Sequence, residues 1–178
     1  MVGGCIFIVG YMGAGKSTGG RRLAQAMNLP FMDTDAAIVE DTGMDIPALF
    51  DALGEAGFRA AERRVIERVA RGEKRLVVAT GGGTPCHGDN MAFMRQHGKV
   101  VYFKVGLDAL LTRLQARRKE RPLIADIPDA ELKGFIREHL AGREQFYTQA
   151  HITVDADALD GERMASVIHM IGSGRVNP

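Results

Sequence analysis

Short apolar runs alternate along the chain with segments of helical periodicity. This is the pattern of stacked β–α–β units, a parallel sheet with helices on both faces. Five runs read as strands: Cys5 to Val9, Pro30 to Asp33, Leu76 to Ala79, Val100 to Lys104 and Ile152 to Val154. The helical period places helices at about Ser17 to Met27, Ile46 to Leu53, Phe58 to Arg71, Asp89 to His97, Asp108 to Arg117, Asp129 to Tyr147 and Leu159 to Ile171. Gly72 and Gly98 stop two of them, and Pro128 with Asp129 opens the long one. The expected class is α/β.

Length and composition narrow this further. A chain of 178 residues suits one domain with a real core, spanning residues 1–178, with 172–178 read as a frayed tail. The net charge of +1 offers no general basic field for nucleic acid, and no apolar run reaches membrane-span length. Met1 to Gly4 is too short for a signal segment. Cys5 and Cys86 have no metal or redox spacing, so free thiols in a reducing, cytoplasmic setting are expected. A monomer is expected at this size. The five histidines show no ligand spacing.

Directly after the first apolar run stands Gly10-Tyr11-Met12-Gly13-Ala14-Gly15-Lys16-Ser17-Thr18, which satisfies G-x-x-x-x-G-K-[ST]. A glycine-rich turn there joins a strand to a helix N-terminus, whose free N–H groups and dipole attract an anion. A side chain at Gly13 or Gly15 would obstruct either positive φ or the approach of backbone to phosphate. Lys16 adds a point charge near the β- and γ-phosphates of a nucleotide, and the Ser17 hydroxyl is a ligand for Mg²⁺.

Ligands of open α/β sheets collect beyond the carboxyl ends of the strands, and the remaining candidates fall there. Asp33 and Asp35, two apart at a strand end, point the same way if the backbone is extended. Leu76 to Ala79 ends without a carboxylate, so Asp33 is the remaining partner for Mg²⁺. Asp35 is read as accepting hydrogen bonds from a substrate hydroxyl, or as the N-cap of the next helix. Gly81, Gly82 and Gly83 suit a ligand lying on bare backbone, or a hinge. Arg59, at a helix start, opposes the dipole unless an anion binds, with Glu62 orienting it at i, i+3. Arg143 ends a long helix, where the dipole also favours a cation. The basic stretch Gln115 to Leu123 is a solvated charge run or a movable lid that closes Arg121 over the γ-phosphate.

With these residues assembled, the chain resembles the shikimate kinase family. The resemblance rests on Gly10 to Thr18, Phe31-Met32-Asp33-Thr34-Asp35, Gly54-Glu55-Ala56-Gly57-Phe58-Arg59 with Glu62, Thr80 to Gly83, Arg121-Pro122-Leu123, and Arg143 with Tyr147 and Ala150. It implies a five-stranded sheet in the order 2-3-1-4-5 between helix layers, with a lid at about residues 115–128. The implied reaction is transfer of the γ-phosphoryl group of ATP to the 3-hydroxyl of shikimate. Gly13, Ala14, Gly15, Lys16, Ser17, Thr18 and Arg121 would bind ATP, with Ser17 and Asp33 at Mg²⁺. Asp35, Arg59, Gly81, Gly82, Gly83 and Arg143 would hold shikimate, and Lys16, Asp35 and Arg121 would act on the reacting groups. The chain departs from the family in the loop Val154 to Leu159, which lacks a proline often found at the adenine pocket; Arg113 or Arg117 is then available to stack on the base. Two other readings share part of this set: a gluconate kinase, and a nucleotide-binding regulatory module without catalysis.

Overall fold

The computed structural model describes residues 4–72 and 74–173. Five strands, β1 (Cys5–Val9), β2 (Phe31–Asp33), β3 (Val77–Ala79), β4 (Gly98–Lys104) and β5 (Ile152–Asp155), form one sheet in the order β2-β3-β1-β4-β5. Every adjacent pair is parallel, with Ile6 beside Val77 on one flank of β1 and beside Lys99 on the other. All five residues of β1 and all three of β3 are buried. Alternate side chains of a strand face opposite ways, so uninterrupted burial means that helices cover both faces.

The helices are α1 (Lys16–Ala26), α2 (Thr34–Thr42), α3 (Ile46–Arg71), α4 (Asn90–His97), α5 (Leu107–Ala116), α6 (Pro122–Ala125), α7 (Asp129–Tyr147) and α8 (Gly161–Ser173). Periodicity overlooked α2, which carries only Thr34, Ala37 and Ile38 inward. So narrow an apolar face gives almost no periodic signal. The two segments read as separate helices are the two arms of α3, which are divided by a kink where Gly54 adopts φ 65°, ψ −175°. That conformation is open to glycine and strained for other residues. Helix α8 runs through Gly172 and Ser173, so these two belong to a helix, not to a frayed end; the rest of that expected tail, 174–178, lies outside the described residues, as do Met1 to Gly3.

The lid expected at 115–128 folds as a 3-10 turn at Arg118–Glu120 followed by α6. Arg118 is no solvated charge: its Nε donates to the carbonyls of Ile124 and Ala125 at 3.1 and 3.2 Å, and its guanidinium pairs with Asp129. Fully buried Ile124 fastens the segment to the core.

Helix α1 packs closely against the sheet because two of its residues lack side chains. A Cβ at Gly19 would lie 2.5 Å from Cε2 of Phe103 on β4 and 3.0 Å from Cδ2 of Leu159. Overpacking of this kind costs about 1–3 kcal/mol, against a helix-propensity gain of about 1 kcal/mol. Gly19→Ala is therefore expected to be destabilising on balance, read as a lower urea midpoint. An unchanged or higher midpoint would show that α1 has room to move off β4.

Candidate active site

At the carboxyl edge of the sheet a cleft of about 610 Å³ opens between the β1–α1 loop and the lid. Its walls include Gly13 to Thr18, Asp33, Asp35, Gly81, Gly82 and Arg121. Gly13 and Gly15 both have φ near 80°, the left-handed region expected of them. Gly15 is also the N-cap of α1 and offers no side chain to the first turn. The free N–H groups there are left for a ligand.

Lys16 is half-buried and its ammonium donates to the Tyr11 carbonyl at 2.9 Å. Burial lowers its pKa to about 8, with Arg121 adding to that effect and Asp35 opposing it. An ammonium with one protein acceptor for three donors, held where desolvation disfavours it, is matched by an anionic partner. The Ser17 hydroxyl donates to Asp33 Oδ2 at 2.5 Å. These are two hard oxygens side by side, the donor type Mg²⁺ takes.

The expectation that Asp33 and Asp35 share an extended backbone is corrected. Asp33 ends β2 and is itself the N-cap of α2, accepting from the Asp35 N–H at 3.0 Å; Asp35 lies in the first turn of that helix. The cap role considered for Asp35 thus belongs to Asp33. Both still line the cleft, because the turn from strand to helix carries the second carboxylate round to the same side. The Asp35 carboxyl is pushed up to about 6, first by burial, then by the charges of Asp33 and Glu62.

The substrate half of the expected set lies beyond the lysine. Arg59 is not at a bare helix start: it sits a turn past the Gly54 break, and two glutamates answer its charge. Its Nη1 donates to Glu62 at 2.8 Å, at the expected i, i+3 spacing, and its Nη2 donates to Glu55 at 3.2 Å. Glu62 is 1% exposed and its other oxygen accepts from the Thr84 hydroxyl. Arg143 lies over the Tyr11 ring at 6.0 Å. Burial pushes the Cys86 thiol up, while the charges of Arg143 and Arg59 both pull it down.

Packing also leaves no room for side chains at Gly81 and Gly83. A Cβ on Gly81 would lie 2.7 Å from Glu62 Oε1 and 3.2 Å from Asp35 Oδ1, and one on Gly83 would lie 3.0 Å from Arg59 Nη1. The absence of side chains lets three charged groups crowd against this backbone, which is further held by Thr34, accepting from the Gly81 N–H at 3.0 Å, and Tyr147, donating to the Gly82 carbonyl at 2.6 Å.

The loop that lacks a proline is held by hydrogen bonds. Asp155 accepts from the Asp157 N–H, Asp157 accepts from the Gly106 N–H, and Arg22 donates to the Leu159 carbonyl. Arg113 donates to the carbonyls of Ala156 and Asp157 at 3.2 and 2.7 Å and to that of Gly13 at 3.4 Å. Its guanidinium braces the loop, and both it and exposed Arg117 line the cleft. Sequence gave no sign of this brace, since a single arginine on a helix announces no partner.

A phosphate loop at the switch point of a 2-3-1-4-5 sheet, facing a carboxylate and a lid arginine, defines a P-loop phosphotransferase. The family model described as shikimate kinase matches residues 12–171. A shikimate kinase of Bacteroides thetaiotaomicron is 44% identical over 155 residues, covering 87% of this chain and 88% of the relative. The structure of an Acinetobacter baumannii shikimate kinase in complex with shikimate superposes with a TM-score of 0.82 at 34% identity, covering 98% and 96% of the two chains. The chain belongs to the shikimate kinase family, ATP-dependent kinases acting on shikimate. A Sinorhizobium meliloti gluconokinase, at 18% identity and a TM-score of 0.58 with 97% and 95% of the two chains covered, shares the fold alone.

Removing one partner of a buried ion pair strands the other. Glu62→Ala is expected to cost about 3 kcal/mol in chemical denaturation, the low end for such a loss because Arg59 keeps Glu55. Glu62→Gln keeps an acceptor for Thr84 and should cost less. Equal stability of Glu62→Ala and wild type would mean that the pair carries no net stabilisation.

Proposed function

We propose that this chain transfers the γ-phosphoryl group of ATP to the 3-hydroxyl of shikimate, with Lys16, Asp35 and Arg121 acting on the reacting groups. One arrangement carries the reading: a raised-pKa carboxylate, Asp35, shares a cleft with the phosphate-loop lysine and the lid arginine, with Arg59 beside Gly83 and Arg143 over the Tyr11 ring. The backbone of Gly13 to Thr18 cradles the phosphates and Lys16 neutralises them. Arg121, at the cleft wall, stabilises charge spread over the transferring group. Ser17 and Asp33 would hold Mg²⁺, which when bound supplies positive charge at the β- and γ-phosphates. Arg117 stacks on the adenine.

Arg59 and Arg143 grip the shikimate carboxylate, the Gly81, Gly82 and Gly83 backbone supports the ring, and Asp35 takes its hydroxyls. The 3-hydroxyl oxygen forms a bond to the γ-phosphorus as the bond from that phosphorus to the β–γ bridging oxygen breaks. The hydroxyl proton passes to Asp35, and ADP leaves with the bonding electrons. A mobile lid at about residues 115–128 closes over the reaction and excludes water, which would otherwise hydrolyse ATP. We assign the enzyme one domain over residues 1–178, a monomeric state and a cytoplasmic location, in keeping with its two free thiols.

Release of ADP with ATP, Mg²⁺ and either shikimate or gluconate tests the assignment. Lys16→Met should abolish turnover with shikimate, whereas Arg59→Ala should raise the KM for shikimate about tenfold to a hundredfold, the worth of a charge-assisted hydrogen bond. Gluconate turned over as well as shikimate would sink the reading, and ATP-dependent partner binding unaffected by either mutation would favour a regulatory module.

Asp35 must be ionised to accept the proton, so kcat/KM for shikimate should fall as pH drops through about 6. Its raised pKa also means that ionisation costs the folded state: the contribution to stability is full at low pH and is lost as pH rises through about 6. Asp35→Asn removes that cost. It is expected to lower turnover about 10²- to 10⁴-fold and to flatten the acid limb, while its thermal midpoint at neutral pH equals or exceeds that of wild type. An Asn variant melting well below wild type would instead make Asp35 a structural residue.

A further inference from the structure

Phosphate binding asks for backbone N–H groups and a lysine, not for an aromatic ring, yet the phosphate loop carries Tyr11, which is 1% exposed. Its hydroxyl lies 2.8 Å from Nδ1 of His139 on α7, 128 positions along the chain, with the two rings edge to face at 5.5 Å. Phe135, one turn earlier on α7, packs on the same imidazole at 5.3 Å. Burial and Arg143 both lower the His139 pKa, and burial pushes Tyr11 up to about 12. The two groups share one hydrogen bond between a phenol and an imidazole nitrogen, both held toward their neutral forms. Arg143 stands one turn beyond His139 on the same helix, with its guanidinium over the Tyr11 ring at 6.0 Å. The carbonyl of Tyr11 is also the acceptor for Lys16. One loop residue thus touches the phosphate lysine through its main chain and the helix of Arg143 through its side chain.

We infer that Tyr11 and His139 are positioning residues, whose hydrogen bond fixes α7 against the phosphate loop and so sets where Arg143 meets the shikimate carboxylate relative to the γ-phosphate. The inference rests on the assignment of Arg143 to that carboxylate. Apolar burial of Leu132 and Ile136 holds α7 to the core, and Tyr147 ties its far end to Gly82. Apolar contact is non-directional. A hydrogen bond at mid-helix sets rotation about the helix axis, the variable that aims Arg143.

Steady-state kinetics of Tyr11→Phe, His139→Leu, their double mutant and His139→Asn tests this. Tyr11→Phe keeps the ring beneath Arg143 and loses one hydroxyl. Each of the first two should raise the shikimate KM about threefold to tenfold, the worth of one buried neutral hydrogen bond, with a smaller change in kcat. The double mutant should be no worse than the poorer single, and His139→Asn, whose amide offers a donor and an acceptor near the place of Nδ1, should stay within about twofold of wild type. Shikimate KM values unchanged in the singles, or penalties that multiply in the double, would overturn the inference. So would a lower thermal midpoint for Tyr11→Phe with an unaltered KM, since the bond would then only stabilise. Arg143→Ala separates the two claims: a raised shikimate KM there with none in Tyr11→Phe defeats the positioning role alone, whereas no change in Arg143→Ala defeats the assignment of Arg143 itself.

Discussion

The placement of β1 between β3 and β4, parallel to both, is the constraint on which the site depends. Connections from neighbouring strands leave in opposite directions at that point, and a crevice opens beyond the carboxyl edge. The chain turns there on left-handed glycines and enters α1 without a side-chain cap. An anion at this turn meets free N–H groups, a helix dipole and Lys16 together. The ends of β2 and β3 are carried to the same edge by parallel pairing, which brings Asp33, Asp35 and the Gly81 run within reach of the phosphate loop.

Electrostatics divides this edge into two halves. Near the phosphate loop, burial moves Lys16 down to about 8 and Asp35 up to about 6, each toward its neutral form. A bound polyphosphate would reverse the effect on the lysine, and desolvation holds the carboxyl above its ordinary range. On the far side Arg59 is charged and already answered by Glu62 and Glu55, so its energetic cost is met before any substrate arrives. The glycines at 81 and 83 leave space for these charged groups to approach one backbone segment. Arg113 joins the phosphate loop to the loop after β5, and Tyr11 joins it to α7. The catalytic turn is therefore braced from two sides.

β1 and β3 were legible because buried parallel strands are short and wholly apolar, and β1 was read to its end residues. Helix α2 was not, since only three of its residues face inward. The division of α3 at Gly54 was legible, because non-helical backbone there separates the two helical segments the periodicity marks. Among site residues, the phosphate loop and the Arg59–Glu62 pair could be argued from spacing, as both lie within one turn or one loop. The crowding at the glycine run was not legible, since its close neighbours come from α2, α3, the phosphate loop and the segment after it.

Local order along the chain thus determined the elements, the anion-binding turn and the residue types able to move a phosphoryl group, because these depend on contacts a few residues apart. Tertiary structure decided that Arg113 braces the loop after β5 and how Tyr11 finds His139 across 128 positions. Those outcomes turn on hydrogen bonds between distant segments, whose geometry exists only after the sheet has closed and its helices have packed.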